Sequence, residues 1–484
     1  MAQTKYVRPF TTDLETQAGK RIMELIWGDP VHVISQSGGR ARVKARTREG
    51  FVPTADLMDD GLLELYVIDV GQGDGVLIRT PDDRWHLVDA GVANRDQMTR
   101  KGTANFLRWK FVDDLEAGKV ALANVVVSHS DYDHFGGLID LFGGKLADGR
   151  TFSIEVDDFY HCGMGRFRTG AKLGAVENGT VDPFPIPGIG PKRDGKFITE
   201  LLDRKNSFKE NPARPFSDAF REVAALVRKV PKRVNRLSHR DRFLPGYAPG
   251  DAQVTISVLG PILERLDNGK LGLRSWSNEG VTRNGHSIVL RLDFGNARIL
   301  LTGDLNTASQ KLLLSYQPET EFAVDVAKAC HHGAEDVDIS FVRAMGARST
   351  IISSGDNEDY SHPRPVLMGA SARYGRESRS ERNELQPPLI YSTELARSVK
   401  LAFADEVQVV RTPPPPEVVA PASAAVVLGD AKPPLRSLGR TPVAADLVYG
   451  LVNVRTDGQH VLCATLEEAG SEFDVKVFRA GVNV

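Results

Sequence analysis

The sequence predicts an α/β protein preceded by a small all-β unit, and three observations carry that expectation. Residues 1–60 hold only short β-rich runs, RIMELIWG, VHVIS, RARVKAR and EGFVP, split by Gly-Asp-Pro and Ser-Gly-Gly turns. From Leu62 onward, strand-like runs alternate with helical stretches. Several of those apolar strands stop abruptly at His or Asp clusters, which puts chemistry at the C-terminal ends of strands.

Composition bounds the rest. At 484 residues the chain exceeds one ordinary core, given roughly 100–200 residues per domain. Hydrophobic residues at 41% and charged residues at 26% exclude disorder as the main state. Lys+Arg 61 against Asp+Glu 63 leaves a net charge of −2, so polyanion binding would need a local patch. Cys162, Cys330 and Cys463 lie far apart with no CxxC pair. That excludes a disulfide framework and a thiolate zinc knuckle, and it fits a reducing compartment. No apolar run reaches about 18 residues and the N-terminus has no apolar leader, so the expectation is a cytoplasmic protein without membrane association.

Within 1–60, GKRIMELIWGDPVHVI and EGFVPTADL resemble a bacterial Src-homology-3-like barrel. The resemblance implies a module that docks a protein partner; the other reading is an extra strand layer packed on the main domain. In 61–412, LELYVIDV, GVLIRT and WHLVDAG suggest an antiparallel meander. Phe106, Leu107, Phe111 and Leu115 predict a helix over 103–115, and ANVVVSH a buried strand. The stretch of about 157–250 reads as an insertion, rich in Gly and Pro and then helical over 217–230. Strand patterns return in AQVTISVLGP, NGHSIVLRLDFG, ARILLTGD and STIISSG. A Pro/Ala-rich linker follows over 413–440, and the strands of 441–484 either complete the main sandwich or stand as a hairpin.

The chemistry concentrates in SHSDYDHFGG. His129, Asp131, Asp133 and His134 offer four ligands within six residues on a loop, where neighbouring side chains can converge. Asp304 after ARILL, and His331 and His332 after DVAKA, also end apolar runs and fit the same centre. One of the two adjacent histidines is expected to bind metal, the other to hold it or to touch substrate. His362 follows another strand and is a candidate for substrate binding or leaving-group protonation. Asp69, Asp74 and Asp89 read as turn carboxylates that fix these loops. A basic run includes Arg228, Lys229, Lys232, Arg233 and Arg236, a candidate sequence-independent contact for a phosphate backbone.

In order, DVGQGD (69–74), LVDAG (87–91), HSDYDHFGG (129–137), NGHSIVLRL (284–292), LLTGDL (300–305), HHG (331–333) and SSGDNEDYSHP (353–363) resemble the metallo-β-lactamase fold, and within it the soluble domain of ComEC-type competence proteins. The resemblance implies a four-layer αβ/βα sandwich over about 62–412. It also implies one or two divalent ions, Zn2+ or Mn2+, held by His129, Asp131, Asp133, His134, Asp304 and His331 or His332. Asp133 would hold a cation and orient the attacking water. Asp131 stands where the superfamily prefers His, which hardens the site toward manganese, and the superfamily's middle His ligand has no counterpart. ComEC proteins proper are membrane channels for DNA uptake; this sequence shows no spanning segment, so uptake does not transfer. The expected activity is that of a phosphodiesterase or nuclease acting on nucleic acid or nucleotides. The alternatives are a hydrolase of a cyclic nucleotide, lactam or thioester, or a binding scaffold.

Overall fold

The computed structural model describes residues 3–97, 102–181, 192–355, 362–380, 382–394, 450–466 and 472–481. The linker expected over 413–440 lies outside the described residues.

Seven short strands between Gln3 and Met58 form one sheet, curled around Val7, Leu14, Leu25, Val31, Val43 and Val52. Among the described residues the outer edges of Arg21–Ile26 and Leu57–Met58 pair with no further strand, so the expected barrel is an open, curled sheet. Apolar surface at that edge is covered by a neighbour rather than by closure: Ile26 and Trp27 pack on Leu62, Leu462 and Ala464.

The main body starts with β1 (Leu63–Val67), β2 (Val76–Arg79) and β3 (Trp85–Val88), an antiparallel meander. Helix α1 (Thr103–Arg108) continues as a π-helical turn to Asp114. Strand β4 (Val120–Val127) pairs parallel with β3; the short α2 (Tyr132–Phe135) and α3 (Leu138–Gly143) follow it. Next come β5 (Ile154–His161), α4 (Asp218–Val227) and β6 (Arg233–Arg236), and both strands extend the same parallel run. The stretch 157–250 is therefore not one excursion. Its ends belong to this sheet, because Phe159 and Val234 bury against the helical layer. The excursion between them adds two strands to a separate four-stranded sheet.

A second sheet takes β7 (Thr255–Gly260), β8 (Val289–Phe294), β9 (Ala297–Leu301), β10 (Val326–Lys328), β11 (Ser349–Ile352) and β12 (Leu389–Ser392), in sequence order. Helices α5 (Glu279–Gly285), α6 (Thr307–Tyr316), α7 (Ile339–Met345) and α8 (Pro365–Tyr374) connect its strands. Finally β13 (Val452–Thr456), β14 (His460–Leu466) and β15 (Phe473–Arg479) join the first sheet beside β1, giving nine strands.

Side-chain alternation explains the layering. Leu65, Val67 and Ile78 face Ile256, Leu290 and Ile299 between the sheets, whereas Tyr66, Leu77 and Leu87 face α1, α3 and α4. Val289, Leu300 and Ala327 cover the other outer face together with Leu313, Phe341 and Leu367. The order of layers is helix, sheet, sheet, helix.

Candidate metal centre

Loops after β3 and β4 of one sheet, and after β9, β10 and β11 of the other, meet at one rim. Ser128 and His129 leave β4; Asp131 caps α2 by accepting from the Tyr132 N–H, and α2 carries Asp133 and His134. Asp304 follows β9, and His331 and His332 follow β10 with φ of 47° and 53°, a tight turn that brings both rings near the same centre. The DVGQGD loop crosses directly behind. At Gly73, φ is 102° and a Cβ would stand 1.7 Å from the Asp133 carbonyl oxygen, so only glycine fits.

Asp304 is the hub. Its Oδ2 lies 3.0 Å from His332 Nε2, 3.2 Å from His134 Nε2 and 3.9 Å from both His129 Nε2 and His331 Nε2. Asp133 Oδ2 is 3.5 Å from His332 Nε2. Donor atoms of Asp133, His134, Asp304 and His332 all lie within 4.8 Å of one another. The far nitrogens are anchored on acceptors: His134 Nδ1 is 2.9 Å from Asp89 Oδ2, and His332 Nδ1 is 3.0 Å from the Ser353 carbonyl. Asp89 also accepts from the Ser128 N–H at 2.7 Å. With Nδ1 donating outward, each Nε2 presents a lone pair to the centre. The Nε2 atoms of His129, His134 and His332 are buried and make no well-formed hydrogen bond among the described residues. Buried polar atoms are ordinarily satisfied, so three unsatisfied imidazole nitrogens around carboxylates fit a divalent cation.

Charge is balanced within the cluster. Burial alone would depress His134 and His332, but Asp304 and the other carboxylates hold both well above the usual imidazole range. Burial would raise Asp304 and Asp133, yet the facing imidazoles hold both below the usual carboxylate range. His129 goes the other way, driven well down by burial and by the neighbouring His134.

The structure brings His129, Asp133, His134, Asp304 and His332 together. Of the adjacent histidines, His332 is buried in the centre, while His331 sits at its edge with Nε2 3.2 Å from Asn284 Nδ2. His362 lines the same pocket, its ring 5.8 Å from that of His331; burial and the nearby histidines push it down to about 4. Asp131 requires a correction. Its Oδ1 is 2.9 Å from Arg166 Nη1 and its Oδ2 is 2.7 Å from Arg283 Nη2, so both oxygens are taken by guanidinium groups instead of turning to the cluster.

The basic run is also placed differently from the expectation. Arg228, Lys229, Lys232, Arg233 and Arg236 do not line the pocket. Lys232 pairs with Asp157, Arg233 with Asp158 and Arg236 with Asp203, while Arg228 and Lys229 are exposed at the end of α4. The cause is register: β6 lies beside the acidic β5, with Arg233 opposite Asp158. Arg283 and Arg364 line the pocket instead. Buried Lys328, beside Asp74 and Asp304, went unread as well. Its only sequence signal is a lone charge closing an apolar strand.

The family model described as the metallo-beta-lactamase superfamily matches residues 68–205. That stretch is similar to the superfamily. The match includes Asp74, Asp89 and the 129–134 cluster; Asp304 and His332 lie beyond it. The chain resembles ComEC-type proteins: it is 29% identical over 104 residues to ComE operon protein 3 of Bacillus subtilis (strain 168), 21% of this chain and 13% of that protein. The matched stretch thus spans a small part of that relative. Among solved structures, the metallo-beta-lactamase fold protein YhfI of Bacillus subtilis is 14% identical with a TM-score of 0.28, covering 60% of this chain and 85% of that one. Tm1679, described as a metal-dependent hydrolase of the beta-lactamase superfamily, is 13% identical with a TM-score of 0.32, covering 68% and 95%. No helix among the described residues is long and apolar enough to cross a membrane.

Proposed function

We propose that the protein is a metal-dependent phosphodiesterase that cleaves a phosphodiester of a nucleic acid or nucleotide by direct attack of water. The observation that carries this reading is the convergence of unsatisfied imidazole nitrogens and carboxylates on the floor of a pocket of about 570 Å3 with Arg283 and Arg364 in its wall. Guanidinium groups beside a metal-seeking cluster suit an anionic phosphoryl group better than a neutral lactam.

Asp133, His134, Asp304 and His332 would hold the cation, Zn2+ or Mn2+, with His129 beside them. When bound, such an ion lowers the pKa of water from 15.7 to about 7 and withdraws charge from a phosphoryl oxygen. Asp133, anchored on α2 and facing the pocket, orients the attacking water. Arg283 and Arg364 hold the anionic oxygens. With its pKa down to about 4, His362 is a neutral imidazole at pH 7; it positions the substrate by hydrogen bonding rather than arriving as a charged acid. A cysteine nucleophile is disfavoured: burial raises Cys330, adjacent to His331, to about 11, so thiolate is scarce at neutral pH.

The test uses bis(p-nitrophenyl) phosphate and single- and double-stranded DNA, each with Mn2+ or Zn2+. Asp133→Asn should lower turnover by at least about 10³-fold, roughly 4 kcal/mol, with the fold intact. Unchanged turnover would show the centre is misassigned. Faster cleavage of a lactam, thioester or cyclic nucleotide than of any linear phosphodiester would transfer the centre to another substrate class.

A further inference from the structure

Two donor sets share His134, one at each ring nitrogen. The first is Asp133, His134, Asp304 and His332; the second, deeper, is Asp74, Asp89 and His134. By ligand chemistry alone either set suits a cation, yet their surroundings differ. In the deep set, His134 Nδ1 already faces Asp89 Oδ2 at 2.9 Å, so this nitrogen donates and has no lone pair to offer. Asp74 is ion-paired with the Lys328 ammonium, which also donates to the Gly303 carbonyl at 3.0 Å and lies 3.7 Å from Asp304 Oδ1. Lys328 is 2% exposed, at the end of a strand flanked on both sides by parallel neighbours.

We infer that Lys328 fills the deep set from inside the protein, so that the centre takes one divalent cation per chain, at Asp133, His134, Asp304 and His332. This rests on the metal-dependent reading of the site and narrows it. A second dication in the deep set would have to displace the ammonium, which is buried at 2% exposure; a buried charge stripped of its partner is strongly unfavourable. The His129 side offers no alternative. His129 Nε2 has Asp304 Oδ2 at 3.9 Å, but the neighbouring Asp131 is held by Arg166 and Arg283. Among the described residues no further group of three such donors forms. Lys328 thus balances Asp74 with a fixed unit charge, and Asp131 holds Arg283 in the wall of the pocket.

The experiment is elemental analysis together with calorimetric titration of the metal-free full chain with Mn2+ alone and with Zn2+ alone, without substrate. The wild type should bind one equivalent, and Asp131→Asn should bind one equivalent with affinity within about threefold of wild type. Lys328→Ala removes the ammonium from Asp74 and should admit a second, weaker equivalent, because His134 Nδ1 still donates to Asp89 and only the carboxylates remain as ligands. Two equivalents in the wild type would overturn the inference while leaving metal-dependent hydrolysis standing, and so would a tenfold or greater loss of affinity in Asp131→Asn. Zero equivalents would overturn the metal reading itself. If Lys328→Ala fails to fold, the wild-type stoichiometry and Asp131→Asn still decide the matter. A folded Lys328→Ala that stays at one equivalent would show that something other than Lys328 closes the deep set.

Discussion

Among the described residues, the buried ionic network at the N-terminal joint and the one at the rim are built on opposite principles. At the joint between the N-terminal sheet and the sandwich, Asp29 is 2% exposed and receives Arg455 at 2.8 Å, Arg46 and the Ile26 N–H. Nearby, Glu64 receives Arg79 at 3.0 Å, and Arg79 stacks 4.5 Å from the Tyr6 ring. Every carboxylate there faces a permanent cation, and Arg46, Arg455 and Lys110 outweigh burial to hold Asp29 below its ordinary value. At the rim, Asp133 and Asp304 face imidazoles whose Nε2 atoms have no good hydrogen bond. The first network is complete and acts as a weld. In the second, buried Nε2 atoms of His129, His134 and His332 make no well-formed hydrogen bond, and those unsatisfied atoms mark a metal-seeking site.

The distinction can be broken or sharpened by experiment, beginning with the largest effect. Arg455→Ala leaves Asp29 buried beside a lost partner and should cost about 3–5 kcal/mol in urea unfolding, with metal content per folded chain unchanged. Loss of metal in that variant would merge the two networks. Asp89→Asn removes the acceptor that turns His134, and should weaken metal affinity about 10–100-fold with little change in the metal-free unfolding midpoint; unaltered affinity would mean that Asp89 is only a turn residue.

Acid offers a third comparison. Burial lowers His86 and His161 to about 3, below the unfolded value near 6.5. Between those values the unfolded chain binds protons that the native chain does not. Stability should therefore fall as pH drops from about 6.5 toward 3, at up to about 1.4 kcal/mol per pH unit for each group, and stay flat on their account above about pH 7. A flat profile down to pH 5 would show that these rings are charged in the fold. The smallest effect is expected at the surface: Arg233→Glu breaks an exposed pair with Asp158 and should shift stability by no more than about 1 kcal/mol. It should leave phosphodiester KM unchanged, whereas Arg283→Gln should raise it; the reverse result would return substrate binding to the basic run.

Much of this was legible without coordinates. The meander of LELYV, VLIR and WHLV, the ordered motifs and the residues His129, Asp133, His134 and Asp304 stand out because strand alternation and ligand clustering are local signals. His332 could not be separated from His331, because two adjacent side chains diverge according to backbone dihedrals that no residue type dictates. Asp131 reads as a candidate ligand because its neighbours do; only the approach of Arg166 and Arg283, 35 and 152 positions away, shows where it is directed. In the basic run, Arg233 is paired off through register with an acidic strand 75 positions earlier, a contact that residue type alone does not show.

The sequence by itself determined the alternation of layers, the positions where strands end in polar groups and the chemistry available there. Tertiary structure alone decided which charges meet. Coulomb and coordination energies depend on distances of a few ångströms between groups far apart in the chain, and such distances exist only once both sheets have packed.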